Sequence, residues 1–341
     1  MVPPLAMIRD RHRTGLDLDN PPSPMEPMTA KFHTAPFVFF GGKRTVTAQV
    51  WARLGRPRQY IEPFCGSAAM LLANRHPASL EVIGDQNFYI ANFWRAVKYQ
   101  PDLTACEADY PVSHVDLDAR HRWLTEPART AELRAQLANP EWPGDPRIAG
   151  WWVWGQCAWI GSGWCEKEVG DAGQGVQSKI PHVSDAGQGI QSKIPHVGNA
   201  GQGIAVWFAT LAKRLERVRV IHGDWTRCLN HNYGEHAKTY SGGEGSTAIF
   251  FDPPYLGFES LYADGSSEPV AKQVEQWCRE NAQLRIALCG HLGDYDLPGW
   301  EQLQWDRGKL TYGGSTTTDQ ECIWFSPPCA KVAAAQRLFT D

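Results

Sequence analysis

Asp252, Pro253, Pro254 and Tyr255 follow directly on the apolar run Ala248-Ile249-Phe250-Phe251. Such a run reads as the core strand of an α/β sheet, and such sheets bind ligands beyond the carboxyl ends of their strands. A carboxylate, two rigid rings and an aromatic face therefore stand where a ligand would be met. Proline fixes φ and has no N–H, so the Pro253-Pro254 step holds its carbonyls in one geometry without a helix or ladder using them. The four residues form a preorganised set of hydrogen-bond acceptors beside a stacking surface. An ordinary strand exit with a proline turn is the plainer account of the triplet, and the neighbouring tyrosine and the upstream motifs weigh against it.

A second constellation lies upstream in Tyr60-Ile61-Glu62-Pro63-Phe64-Cys65-Gly66-Ser67-Ala68-Ala69. The short strand Gln59 to Glu62 delivers one glycine and three small residues into a helix start. That arrangement lets the backbone approach a ligand closely and points free amides at it. A single glycine, where the dinucleotide fingerprint has three, makes the signal weak by itself. Asp85 strengthens it, because this acid ends a second strand, Leu80 to Gly84, about 20 residues past the loop, where it can accept hydrogen bonds from both ribose hydroxyls of a nucleoside. The competing account is an exposed loop carboxylate.

Positioning these groups requires a sizeable fold. The chain has 341 residues and is 43% hydrophobic, enough for one α/β core with an insertion rather than two equal domains. Its net charge of -4 neither advertises nor excludes a polyanionic partner, although residues 1 to 60 hold nine Lys or Arg against four Asp or Glu. Nine cysteines without a CxxC pair or paired histidines argue against zinc, and no secretory signal supports a disulfide framework. The expected compartment is the reducing cytoplasm. No apolar run approaches the roughly 18 residues that span a bilayer, so no membrane association is expected.

Along the chain, residues 1–30 hold Pro3, Pro4, Pro21, Pro22, Pro24 and Pro27 among polar residues and read as a disordered arm. Residues 31–105 carry Phe37-Val38-Phe39-Phe40, then Gly41-Gly42-Lys43, a helix over Thr45 to Leu54, and the β-loop-α-β unit ending at Asp85. Residues 106–217 break that rhythm with a charged helical stretch over Asp116 to Leu137, a tryptophan-rich segment over Trp151 to Trp164, and a repeat of period 14. The repeat runs from Asp171 to Val183, returns at Asp185 to Val197 and starts again at Asn199 to Ile204. So few copies do not make a solenoid, which needs about three stacked units, and the composition suggests an exposed loop. Residues 218–330 resume the alternation with a strand over Val218 to His222, the pair Gly223-Asp224, the strand carrying Asp252, a helix over Val270 to Gln283, a strand over Leu284 to Cys289, and a hairpin containing Glu321 to Pro327. A tail, 331–341, follows.

Phe39-Phe40-Gly41-Gly42-Lys43, Glu62-Pro63-Phe64-x-Gly66-Ser67, Asp85-x-Asn87, Gly223-Asp224-Trp225 and Asp252-Pro253-Pro254-Tyr255 stand in one order. In this they resemble the DNA adenine-N6 methyltransferases of the Dam-like, alpha-group, D12-class type. The resemblance covers residues 31–105 and 218–328, and residues 106–217 occupy the place of that family's target-recognition domain. It implies a Rossmann-like methyltransferase sheet, S-adenosylmethionine as methyl donor and double-stranded DNA as partner, and leaves open a restriction-modification, phage or stand-alone regulatory setting. Phe39, Gly42 and Lys43 would contact the donor near its methionine end. Glu62, Pro63, Phe64, Gly66 and Ser67 would form the loop beneath it, Asp85 with Asn87 would bind the ribose, and Asp224 with Trp225 would meet the adenine ring of the donor. Two departures stand out: Phe39 where tryptophan is frequent, and Ser67-Ala68-Ala69 in place of a more glycine-rich loop.

The chemistry that the resemblance implies suits the residues around Asp252. An exocyclic amine is a poor nucleophile because its lone pair is delocalised into the ring. Acceptors at its hydrogens, from the Asp252 carboxylate and the Pro253 carbonyl, favour the pyramidal form and the positive charge that develops on transfer. Alignment of methyl and nitrogen supplies much of the remaining acceleration. A base inside a duplex cannot reach such a pocket, so it must be flipped out to stack on Tyr255. No metal is called for, and a monomer or weak dimer is expected.

Several alternatives stay open on sequence alone. The Trp151 to Trp164 segment reads either as core or as a base-reading surface using Gln156 or Ser162. The stretch Lys213 to Arg219 reads as a solvated face or a phosphate clamp, and Lys179, His182, Lys193 and His196 in the repeat could contact phosphates. Cytosine-N4 methylation uses the same amine chemistry, although a serine is then more usual in the place of Asp252. A catalytically silent DNA-binding protein of the same fold is the rival from another class.

Overall fold

The computed structural model describes residues 35–37, 43–159, 164–165, 201–229, 247–255, 267–305, 321–330 and 332. The proline-rich arm, Phe39, Gly42, Ser162 and both full copies of the repeat lie outside the described residues. Seven strands make one sheet: β1 (Gln59–Glu62), β2 (Leu80–Asp85), β3 (Val218–His222), β4 (Thr247–Phe251), β5 (Arg285–His291), β6 (Glu301–Trp305) and β7 (Glu321–Phe325). Their order is β3-β2-β1-β4-β5-β7-β6. The first five in that order pair in parallel, while β7 runs antiparallel to both β5 and β6. This is a mixed α/β protein with a mostly parallel sheet, consistent with the Rossmann-like methyltransferase sheet that the resemblance implies.

Parallel strands covered on both faces read as continuous apolar runs, and β4, β7 and most of β5 are buried throughout. Alternate residues sort the strands onto two cores. Tyr60, Ile83, Ala248, Phe250, Ala287 and Ile323 belong to one, and Ile61, Val82, Ile249, Phe251, Ile286 and Trp324 to the other. Helix α9 (Ser267–Glu280) covers the second core with Ala271, Val274 and Cys278. The 3₁₀ turn Trp225–Leu229 packs Trp225 and Cys228 into the same core. Gly84 leaves room for this turn, because a Cβ there would lie 2.3 Å from Cys228 Sγ.

The first core is closed by α1 (Thr47–Leu54), α2 (Ala69–Ala73), α3 (Phe88–Tyr99), α4 (Pro101–Ala108), α5 (His114–Leu124), α6 (Pro127–Leu137), α7 (Pro146–Ala158) and α8 (Gly201–Leu215). The stretch expected as one helix from Asp116 to Leu137 is thus two. Pro127 cannot donate within a helix interior and instead opens α6 at its first turn.

The middle segment does not stand apart from the sheet. A boundary at residue 106 falls inside α4, and α4 packs closely on α7 and α8. Phe37 sits among Phe93, Trp94 and Trp152, with ring centroids 5.2, 6.1 and 5.1 Å away. Asn92 of α3 and Asp145, the N-cap of α7, exchange two hydrogen bonds of 3.1 and 2.7 Å. Buried Arg95 donates to the carbonyls of Leu137, Asn139 and Val220. Each of these ties a middle helix to α3, which lies against the sheet, so the described part of residues 106–217 shares one core with the strands.

Of the two readings of the tryptophan-rich segment, the core reading describes Trp152, Trp154 and Trp164, all buried. Trp154 and Trp164 donate to the carbonyls of Tyr110 and Trp152, and Trp151 donates to Glu107. Gly155 permits this packing, since a Cβ would fall 1.9 Å from the Trp164 ring. Arg214, expected on a solvated face or a phosphate clamp, does neither. It makes a bidentate pair with buried Glu81 at 2.6 and 2.9 Å and also donates to Leu71 O. The start of the third repeat copy is not loop either, because Gly201 to Ile204 form the first turn of α8.

Candidate active site

The strand order reverses between β1 and β4, and a crevice opens at such a switch point beyond the carboxyl ends of the strands. Glu62 ends β1, Asp85 ends β2 and Asp252 follows β4, so the three acids share this edge. The register fixes their alignment, with Ile61 beside Ile249 and Glu62 beside Ile83.

On the β1 side, the chain turns at Gly66 with φ 44° and at Ala68 with φ 50°, both in the left-handed region. Glycine adopts that conformation without strain. The amide of Gly66 donates to Asp85 Oδ2 at 2.9 Å, and the amide of Asn87 donates to Asp85 Oδ1 at 2.8 Å. Trp94 Nε1 closes the loop from below by donating to Gly66 O at 2.9 Å. The glycine amide expected to face a ligand is thus taken up by Asp85, which holds the loop and the start of α3 together. Asn87 caps α3, accepting from the amides of Tyr89 and Ile90 at 2.9 and 3.4 Å, so its carbonyl oxygen serves the helix.

Burial pushes the Asp85 carboxyl up to about 6, against the two amide hydrogen bonds that favour its charge. Glu62 is buried, and its Oε2 accepts from Tyr60 Oη and from the Leu71 amide, both at 3.0 Å. Burial raises it to about 8, outweighing those two donors, and the charge of Asp252 adds to the rise. Glu62 therefore feels the opposite side of the crevice.

Phe64 is half-buried and stacks on Trp225, with centroids 6.5 Å apart and planes at 27°. Trp225, expected against a ligand ring, is buried and meets Phe251 and Trp277 edge to face. Its indole N–H has no hydrogen-bond partner among the described residues. Asp224 is exposed and caps the 3₁₀ turn through the amide and hydroxyl of Thr226. Pro63 and Ser67 are buried within the loop.

On the β4 side, Lys43 reaches Asp252 and Tyr255. Its Nζ lies 2.8 Å from Asp252 Oδ1 and 3.7 Å from Glu321 Oε2. It also lies 5.1 Å from the Tyr255 ring centroid and 6.0 Å from that of Trp305. Burial opposes the charge of Lys43, but Asp252, Cys289 and Glu321 outweigh it and hold the ammonium above its usual range. The resemblance implies Lys43 near the methionine end of a donor; in the structure its partner is the Asp252 carboxylate. Tyr255 Oη donates to the same Asp252 Oδ1 at 3.1 Å. With two donors on Oδ1, Oδ2 accepts no hydrogen bond among the described residues.

Two residues of this pocket escape a reading of the sequence. His291 ends β5 and meets the Tyr255 ring edge to face at 4.7 Å and 78°. Glu321 opens β7 and pairs in register with His291 and Trp305. Because β7 is antiparallel, its first residue arrives at the edge where β5 ends. The only sequence signal for Glu321 is an acid flush against the wholly apolar run Cys322 to Phe325.

Residues 39–111 match the protein-family model described as D12 class N6 adenine-specific DNA methyltransferase. Over these 73 of its 341 residues the chain is similar to that family. That is the family its motifs resemble, and it is a family of enzymes. The match takes in Lys43, the Glu62 to Ser67 loop, Asp85 and Asn87, while Asp224 and Asp252 to Tyr255 lie beyond it. No curated protein matches the chain. Among the described residues no helix is long and apolar enough to cross a membrane, and none of their His, Cys, Asp and Glu side chains group as a metal site would need.

Proposed function

We propose that this protein transfers a methyl group from S-adenosylmethionine to the exocyclic N6 of adenine in double-stranded DNA, with the target base turned out of the helix into the pocket at Asp252 to Tyr255. The observation that carries this is the division of labour on one carboxylate. Lys43 and Tyr255 occupy Oδ1 of Asp252 and leave Oδ2 to the crevice, at the switch point shared with a D12-class loop.

The residues on the β1 side fit such a donor by their chemistry. A ribose offers hydroxyl donors, and Asp85 presents acceptors to that edge. Asp85, partly exposed, keeps lone pairs beyond the two amides it already holds, since each carboxylate oxygen accepts more than one hydrogen bond. When bound, the sulfonium supplies an activated methyl group. The remaining work falls to this chain. Asp252 Oδ2 and the Pro253 carbonyl accept from the amine hydrogens, drawing the nitrogen toward a pyramidal geometry as its positive charge grows. Tyr255, steadied by His291 and by its hydrogen bond to Asp252, gives the base a face to stack on. Extruding the base costs a few kcal/mol, which stacking and the amine contacts offset.

Duplex DNA of mixed sequence, incubated with the protein and labelled donor and then digested to nucleosides, is expected to yield N6-methyladenine. Asp252→Asn, which removes the charge and keeps the shape, is expected to yield much less. N4-methylcytosine in place of N6-methyladenine would overturn the base assignment. DNA binding without any methylated product would favour a silent binding protein.

A further inference from the structure

We propose that Glu321 is a positioning residue for this transfer, holding the Lys43 ammonium on Asp252 Oδ1 and leaving the pocket with a net negative charge. The inference rests on the methyl transfer proposed above and adds to it a residue from the far end of the sheet. Lys43 stands between two carboxylates, 2.8 Å from Asp252 and 3.7 Å from Glu321, and is itself buried.

The need for a second carboxylate follows from the charge of the reaction. A lone Lys-Asp pair is neutral, and its ammonium would repel the positive charge that moves from the sulfonium onto the adenine nitrogen. Placed behind Lys43, Glu321 restores one net negative charge to the three-residue set. It also works by geometry, because an ammonium drawn from two sides stays on the Oδ1 side of Asp252 and does not swing across to the oxygen meant for the substrate. The aromatic rings of Tyr255 and Trp305 flank the same ammonium and limit its movement. Consistent with this, both carboxylates act to keep Lys43 charged against the effect of burial.

Glu321→Gln keeps the shape and removes the charge. It is expected to lower kcat by roughly tenfold or more, in keeping with loss of a preorganised electrostatic contact, while KM for DNA and donor binding stay near wild type. In the ligand-free protein, the Lys43 side-chain NMR titration is expected to move to lower pH. Because Glu321 acts through Lys43, adding Glu321→Gln to a Lys43→Met protein is expected to cost little more. A wild-type kcat in Glu321→Gln, an undisplaced Lys43 titration, or an equal loss in the Lys43→Met background would each overturn the proposal. Should Glu321→Gln fail to fold, Glu321→Asp serves instead. It keeps the charge but withdraws it, so a smaller fall in kcat with a smaller displacement of the Lys43 titration is expected, and no displacement overturns the idea. If the wild-type protein makes no N6-methyladenine, the transfer itself is wrong, and the Lys43 titration still reports separately on Glu321.

Discussion

The loop after β1 and the pocket after β4 face each other along one sheet edge, yet they are assembled in opposite ways. The loop is closed by its own neighbourhood, since Gly66, Asp85, Asn87 and Trp94 hydrogen-bond among themselves and Glu62 accepts from Tyr60 and Leu71, all within one β-loop-α-β-α stretch. The pocket draws Lys43 from ahead of α1, Asp252 and Tyr255 from β4, His291 from β5, and Glu321 from β7. One is a local structure that any correctly folded β1-β2 unit would contain. The other exists only when the whole sheet is in register. Local contacts therefore build the β1 loop, and long-range strand pairing builds the pocket after β4, the two sides to which the proposed function gives donor and base.

If that contrast is right, substitutions on the two sides should fail differently. The largest effect is expected from Asp252→Ala, which should lower methylation by roughly 10²–10³-fold or more and leave donor binding, measured by calorimetry, almost unchanged. A loss of donor binding of similar size would erase the distinction between the sides. Asp85→Ala should do the reverse. It releases the Gly66 loop and the start of α3 together, so donor affinity should fall by more than tenfold and the thermal midpoint with it, since amides left without partners cost about 1–3 kcal/mol each.

A pH series sharpens the same point. Asp85 sits at about 6 in the folded protein against an ordinary 3.8, so the folded state holds this proton more tightly than the unfolded chain does. The stability it contributes is full below the unfolded value and is lost as pH rises through about 6. Hydroxyl groups of a donor favour the ionised carboxyl, so donor affinity should rise from pH 5 to 7 with release of a proton on binding, and this dependence should vanish in Asp85→Asn. A flat profile in the wild type would show that Asp85 does not meet the donor. The smallest effect is expected from Asn87→Ala, which removes the α3 cap and should cost about 1 kcal/mol of stability, read in a denaturant titration, with kcat unaltered.

The same contrast explains what could be read from the sequence. β1, β3 and the end of β2 were legible because short apolar runs stop at turn residues and acids. Asp252 and Tyr255 were legible because two prolines fix the chain beside them. Asp85 stood out by its spacing from the small-residue loop, but its grip on the Gly66 amide did not, because that bond exists only once β2 lies beside β1. The partner of Lys43 is hidden in the sequence for the same reason: Asp252 comes from beyond β4, far along the chain. The resemblance implies Asp224 and Trp225 as donor contacts, while a Gly-Asp pair after a strand is also a common turn. The 3₁₀ turn rolls the tryptophan into the second core and leaves the aspartate to cap the turn. Arg214 misled by composition, since a basic helix end gives no sign that Glu81 waits beneath it.

The antiparallel insertion of β7 between β5 and β6 has a consequence for how the protein is made. During synthesis the β1-β2 unit and its loop can form early, but β6 has no neighbour in the sheet until β7 arrives to separate it from β5. Glu321 reaches Lys43 only at that step. A nascent chain would thus complete the Asp85 loop long before the Lys43-Glu321 contact, which waits for the last strand of the sheet.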